Sequence, residues 1–365
     1  MRAAVLRELN APFSLEEVEL EAPGPGEVLV RLAASGVCHS DWNVVTGATS
    51  NPLPAVLGHE GAGIVEGVGD GVERVAAGDH VILSWLPACG RCFYCLRGRP
   101  VLCDVAMEDM FRGTLPGGVL RLSRNGERLH HYSYLSTFAE RCIVPEGCCV
   151  PIRRDAPLEV AALVGCAVMT GVGAVWNRAQ VEAGSAVLVF GAGGVGLSAV
   201  LGARLAGART IVAADPVAFK RETALDLGAT HAVDPTAADV SAFLRDLTDG
   251  RGADYAFETA GAPGVLAQAY DAVRRGGTIV AVGLPPEGAT ADLPASDLPR
   301  EEKIVTGSFY GSCRPQTDMP LVLDLFMEGR LTLDRLVSRT YPLEELNEAF
   351  AAMNEGRVAR AVVTF

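Results

Sequence analysis

Cationic side chains are in short supply. Lys and Arg number 31 against 44 Asp and Glu, so this 365-residue chain carries a formal charge of −13. A nucleic-acid binder displaces counterions with a basic face, and this balance argues against one. The opening, MRAAVLRELNAPF, lacks the apolar core and cleavage site of a secretory signal, so a cytoplasmic protein is expected. Long apolar runs are scarce too. One uncharged stretch, between Glu159 and Arg178, approaches the length of a membrane span, but its three glycines and several alanines make it weakly apolar. A buried helix is the expectation there, with no membrane partner. Internal repeats and low-complexity segments are absent. Ten Cys without a secretory signal point away from a disulfide framework, and because four are clustered they point towards metal.

What is present suits a globular protein, with 49% hydrophobic and 21% charged residues. The length exceeds one ordinary core, which predicts two domains. Gly, at 41 residues, is enriched over an average of roughly 7% and predicts many tight turns. The first 150 residues read as β-rich: EVLVRLAAS (27–35) alternates, and 62–83 gives short Val/Ile runs broken by Gly-Asp turns. That punctuation predicts a bent antiparallel barrel. From about residue 184 the texture changes. AVLVF (186–190), TIVAAD (210–215), ADYAFE (253–258) and GTIVAVG (277–283) are short apolar strands separated by Ala/Leu-rich helical segments. Such alternation predicts a doubly wound parallel sheet, and the fold class is α/β. Helical patterns at 317–328 and 343–354 and a last strand, ARAVVTF, form a tail that returns to the first domain.

Cys89-x2-Cys92-x2-Cys95-x7-Cys103 is the most specific local motif. Four thiolates so spaced wrap one tetrahedral zinc with no open position, a structural site. An iron–sulfur cluster shares the first spacings, but no second Cys run and no Cys-Pro follow, which favours zinc. Cys38 in GVCHSD, His59 in GHE and Cys166 in VGCAVMTG are a dispersed set. Two thiolates and an imidazole suit a catalytic zinc with an open fourth position, although spacing alone does not bring Cys166 near the others. Glu60 is either a carboxylate behind those ligands or an alternate ligand. Gly191-x-Gly193-x-x-Gly196 lies between a strand and a helix, and Asp215 follows 19 residues after Gly196. The glycines admit a pyrophosphate to the helix N-terminus, and the acid accepts from ribose hydroxyls, favouring NAD over NADP.

In this order, GVCHSD, GHEGAG, CGRCFYC, LVGCAVMTG, FGAGGVGLS and GLPP resemble the zinc-dependent medium-chain alcohol dehydrogenases over essentially the whole chain. The segment 104–141 resembles their longer-chain branch, which includes thiol-adduct formaldehyde dehydrogenases. The resemblance implies a GroES-like catalytic domain (1–167 and 310–365) and a Rossmann coenzyme domain (168–309). It implies two zincs, a catalytic one at Cys38, His59 and Cys166 and a structural one in the four-cysteine loop. Ser40 matches the hydroxyl that carries the alcohol proton away, and His39 and Arg360 match side chains near the coenzyme pyrophosphate. Asp215 and Lys220 match ribose contacts, Thr170, Val195 and Val282 match other coenzyme contacts, and Trp85 matches a wall of the substrate channel. A homodimer, or a tetramer as in shorter relatives, is implied as well.

The leading expectation is therefore hydride transfer between a primary alcohol and NAD. Two departures bear on it. Asn43 stands where relays in the family place a titratable His, so activity should rise with pH. Met107 stands where glutathione-dependent relatives carry an Arg, although Arg112 and Arg121 leave room for another anionic thiol adduct such as mycothiol. A non-enzymatic dinucleotide-binding protein is the third alternative, disfavoured because no catalytic ligand is missing. Cys142, Cys148, Cys149 and Cys313 are assigned no role, nor are His80, His130, His131 and His231, and HHYSY (130–134) is expected to be a satisfied loop cluster.

Overall fold

The computed structural model describes every residue except Glu287. Two compact units emerge. The first holds Met1–Cys166, Arg314–Glu328 and Val337–Phe365, and the second holds Ala167–Cys313 and Gly329–Leu336. The tail thus returns to the first unit in two pieces, with Gly329–Leu336 on the second between them.

In the first unit, seven strands form one sheet around Glu27–Gly36. Gly61–Val68, Arg141–Pro145 and Arg360–Thr364 all pair antiparallel with this strand. The partly exposed positions fall at intervals along it, as expected of a strand with one buried face. Its register slips at Leu29/Val30 and Leu32/Ala34, where bulges bend the sheet. One pairing departs from the expected antiparallel pattern: Val337–Pro342 joins Arg360–Thr364 in parallel, because the helix Leu346–Asn354 carries the chain back between them. Beneath lies an aromatic floor. Phe13 stacks on Phe350 at 5.3 Å, and Phe138 meets both edge-on at 6.0 and 5.9 Å. Trp42 tilts against Phe350 at 5.9 Å, and Val44 and Val45 join the same core. The short helix His39–Val45 is anchored by these three side chains.

The second unit is a six-stranded, wholly parallel sheet in the order His231–Val233, Thr210–Ala214, Ala186–Phe190, Ala253–Glu258, Val273–Ala281, Ile304–Gly307. Numbered along the chain this is 3-2-1-4-5-6, the dinucleotide-binding order. Every residue of Ala186–Phe190 is buried, as a strand covered on both faces requires. The switch point falls between Ala186–Phe190 and Ala253–Glu258, so the loop after Phe190 opens where ligands of such sheets bind. His231–Val233 and Ile304–Gly307 add two strands to the four expected.

The uncharged stretch is helical over Leu158–Ala179, and 83% of its most apolar window is buried inside the protein. This agrees with the expected buried helix. Two turns within it, Val164–Val168 and Ala174–Ala179, are π-helical.

Candidate active site

The central strand assembles the first cluster. Ser35 pairs with Gly61 on one side, and Gly36 with Val362 on the other. Past the strand's end, Gly36 N donates to Glu60 O at 2.8 Å and Val37 N to Ala361 O at 3.0 Å. Cys38 therefore emerges with His59 and Glu60 to one side and Arg360 to the other. Gly36 cannot carry a side chain, because a Cβ would overlap the Glu60 carboxylate. Cys166 arrives from the π-helical turn Val164–Val168, a kind of irregularity that concentrates at functional sites. One ligand atom each from Cys38, His59, Glu60 and Cys166 lies within 4.8 Å of the others, and all four residues are buried.

Asp41 sets the histidine. His59 Nδ1 donates to Asp41 Oδ1 at 3.2 Å, and the same oxygen accepts the Gly58 amide at 2.9 Å. With Nδ1–H held by Asp41, Nε2 is the nitrogen left to offer a lone pair once its own proton is released, and this buried atom has no hydrogen-bond partner among the described residues. An orphaned imidazole nitrogen beside two thiols is what a metal ligand looks like before its metal, so the donor set fits zinc. Asp41 was not among the expected site residues. Its signal was present in the same GVCHSD string, as the acid at the buried side of helix His39–Val45.

The electrostatics agree with a cation site. A hydrogen bond from Cys166 and the neighbouring His59 hold the Cys38 thiol well below the ordinary cysteine range against the effect of burial. The Cys38 contact and burial push Cys166 well up. Burial opposes a charged His59, but Asp41 and Cys38 outweigh it and raise its pKa. The cluster thus stores protons on ligand atoms, which metal binding would release. Burial pushes Glu60 up to about 7, opposed chiefly by Arg360, whose guanidinium donates to Glu60 Oε2. Arg360, expected near a pyrophosphate, is thus also the partner of Glu60.

Around this core, Ser40 is half-buried with Oγ 3.7 Å from Cys38 Sγ, and His39 is exposed. Tyr132 Oη donates to the Ser40 carbonyl at 3.3 Å, and its ring stands edge-on to His59 at 5.6 Å. Part of HHYSY therefore borders the site, while His131 is satisfied elsewhere by Ser136 and the Arg121 amide. Trp85 is buried just after strand His80–Leu83.

The second cluster is Cys89, Cys92, Cys95 and Cys103, again within 4.8 Å of one another. Backbone amides aim at its sulfurs: the Cys89 amide donates to Cys103 Sγ at 3.3 Å. Amide hydrogen bonds, that of Cys95 foremost, lower the Cys92 thiol to about 6, whereas burial pushes Cys95 up to about 12.

In the second unit, Gly191 follows strand Ala186–Phe190 with φ 89°, a left-handed turn that favours glycine. A Cβ on Gly196 would overlap Gly191 O, whereas one on Gly193 would project into open space. That open cradle at the start of helix Gly194–Leu205, which also carries Val195, fits a pyrophosphate. Asp215, 5% exposed, accepts the Ala192 amide at 2.8 Å and the Val217 amide at 2.9 Å. Lys220 is half-buried on helix Ala218–Leu227, Thr170 half-buried on Met169–Gly173, and Val282 buried just past Ala281.

The two arginines considered for a thiol adduct are already engaged. Arg121 bonds Glu27 at 2.9 Å and Glu21 at 3.0 Å, and Arg112 bonds Glu108 at 2.9 Å and Asp109 at 3.0 Å.

Comparison with known proteins agrees. Residues 24–154 match the alcohol dehydrogenase GroES-like domain, and residues 194–328 match the zinc-binding dehydrogenase family. An NDMA-dependent alcohol dehydrogenase of Amycolatopsis methanolica is 42% identical, over 99% of this chain and 98% of its own. Among solved structures, an alcohol dehydrogenase zinc-binding domain protein from Burkholderia ambifaria superposes with TM-score 0.96 at 42% identity, covering 100% of this chain and 98% of that one. Benzyl alcohol dehydrogenase from Acinetobacter calcoaceticus gives TM-score 0.95 at 35% identity, covering 100% and 99%. With both domain families matched and relatives of this identity aligned along nearly the whole length, the chain belongs to the zinc-dependent alcohol dehydrogenase family and is an oxidoreductase.

Proposed function

We propose that this enzyme oxidises primary alcohols, aromatic ones included, with NAD as hydride acceptor, and reduces the aldehydes in reverse. Cys38, His59 and Cys166 would hold one zinc, and Cys89, Cys92, Cys95 and Cys103 a second. The observation that carries this reading is the orphaned His59 Nε2, fixed by Asp41 and set among two buried thiols. When bound, zinc supplies Lewis acidity toward the alcohol oxygen, and NAD accepts the hydride.

The chain's own residues do the rest. Asp41 keeps the imidazole in one tautomer and one orientation. Arg360 holds Glu60 aside through their hydrogen bond, leaving the thiols and the imidazole as ligands. Ser40 Oγ takes the alcohol proton outward, and because Asn43 does not titrate, the proton goes on to water and turnover rises with pH. Gly191, Gly193 and Gly196 admit the coenzyme pyrophosphate. Asp215 repels a 2′-phosphate and, with Lys220, receives the adenosine ribose. Thr170, Val195 and Val282 serve the nicotinamide end, and Trp85 narrows the substrate space in favour of primary alcohols. The name of the Acinetobacter relative supports aromatic substrates. A cytoplasmic homodimer, joined through the edge strand Ile304–Gly307, completes the reading.

Zinc content and turnover test it together. Two zincs per chain are expected, with NADH formed from benzyl alcohol and other primary alcohols and abolished by chelation. The name of the Amycolatopsis relative makes NDMA a necessary addition to a parallel set of assays. One zinc with no turnover under either condition, or a preference for NADP, would overturn the proposal.

A further inference from the structure

The parallel sheet of the second unit has two ends. The glycine loop lies at the carboxyl end of Ala186–Phe190. At the amino end of the same strands is a cavity of about 890 Å³, bordered by Ala186, Thr210 and Asp254 and by the turn after helix Val240–Leu247. That volume lies within the ~300–1,000 Å³ typical of small-molecule sites. Ala186 and Gly191 are five residues apart along the strand direction, about 16 Å, so this cavity is not the coenzyme loop.

Its walls carry four guanidinium groups, from Arg209, Arg251, Arg274 and Arg275, against two carboxylates, Asp249 and Asp254. Both carboxylates are already engaged. Asp254 accepts Arg274 Nε at 2.5 Å and the Ala186 amide at 2.6 Å, and Asp249 accepts Arg251 at 3.2 Å. The side chains of Arg209 and Arg275 have no hydrogen bond or ion pair with any described residue. Two guanidinium groups free of hydrogen bonds therefore border one cavity in a chain whose net charge is −13, and the nearest acid to act on Arg275, Glu301, is itself paired with Lys303 at 2.9 Å. The carboxyl end of helix Val240–Leu247 points the opposite dipole at this region. That end is blunted, because the Gly250 amide bonds Arg245 O at 2.8 Å and Arg251 Nε bonds Thr248 O at 3.1 Å. Gly250 itself leaves the wall bare: a Cβ there would meet nothing within 4 Å.

We propose that this cavity is a second anion site, taking a phosphate-bearing small molecule separate from the coenzyme. Planar guanidinium forks match phosphate oxygens two at a time, and forks with no intramolecular partner lose no bond when they do so. The assignment rests on the cavity and its arginines, not on the proposed alcohol chemistry.

Calorimetric titration of pyrophosphate into the full-length protein, presaturated with NADH to cover the coenzyme loop, tests it. Saturable binding is expected, weaker at about 200 mM salt than at about 50 mM. In Arg209→Ala/Arg275→Ala, the dissociation constant should rise at least 10-fold. Neither side chain bonds to the protein, so the variant's melting temperature and its NADH binding should stay unchanged. No saturable binding to the wild type, or equal affinity in the double variant, would overturn the proposal. Equal affinity for citrate would overturn the phosphate assignment. The NADH titration in the same cell reports separately on the coenzyme reading.

Discussion

Glu60 and Arg360 stand 300 positions apart in the chain and form an ion pair almost wholly out of reach of solvent, with side chains 0% and 5% exposed. The strands that carry them flank the central strand Glu27–Gly36 on opposite sides, so one comes from each side of Cys38. Glu60 Oε1 and Arg360 Nε have no other partner among the described residues, so each charge depends on the other.

Removing the cation from this pair should be costly. Arg360→Met leaves a buried carboxylate alone, and breaking such a pair typically loses about 3–5 kcal/mol. Protonation is the one relief open to Glu60, which burial already pushes up to about 7. An acid whose folded pKa lies above its unfolded value stabilises the fold less as pH rises through that window. The loss should therefore be larger at pH 8 than at pH 6 in denaturant unfolding of the variant. Adding Glu60→Gln should restore part of it; a double variant no better than the single one would show that the pair is not the cause.

Asp41→Ala leaves every proposed zinc ligand in place and removes only the acceptor that orients His59. Loss of such an orienting carboxylate typically weakens metal binding about 10–100-fold. In competition with a graded chelator, one of the two zincs should dissociate that much more readily. The zinc of the four-cysteine loop should hold as before. Retention of both, or equal weakening of both, is the outcome that would reject this role.

Much of the coenzyme half was readable because its signals are local. A buried strand, a glycine loop, a helix and an acid closing the next strand all lie between Ala186 and Asp215, where backbone constraints fix both spacing and meaning. The two missed strands show the limit. His231–Val233 has only three residues, and Ile304–Gly307 lies at an edge with Ile304 54% exposed, so neither shows the run of apolar residues that marked its neighbours. The metal cluster was readable in residue type but not in geometry. Cys38 and Cys166 are brought within reach by sheet register and a π-turn, which no spacing rule encodes. Asp41 escaped notice because an acid in a first helical turn is ordinarily a solvated surface charge. The Glu60–Arg360 pair escaped because a contact across 300 positions has no local signature.

His131 gives the fold a pH dependence of its own. It is 1% exposed and held at both ring nitrogens. The Arg121 amide, 3.2 Å from Nε2, can only donate, so Nε2 accepts and Nδ1 carries the proton toward Ser136 Oγ at 3.2 Å. Burial, with the nearby charges of His130 and Arg121, pushes this histidine down to about 3. Protonating Nε2 would set an N–H against the Arg121 amide, so the folded protein refuses the proton. The unfolded chain takes it up near pH 6.5. Stability is therefore complete above that value and falls as pH drops towards 3, by about 1.4 kcal/mol per unit. Between pH 6.5 and pH 5 this comes to about 2 kcal/mol. His131→Gln keeps an acceptor for the Arg121 amide and a donor for Ser136 without a titrating group. Its unfolding free energy, measured between pH 7 and pH 5, should have a slope shallower than the wild type by one proton. Parallel slopes would mean that acid sensitivity in this range arises elsewhere.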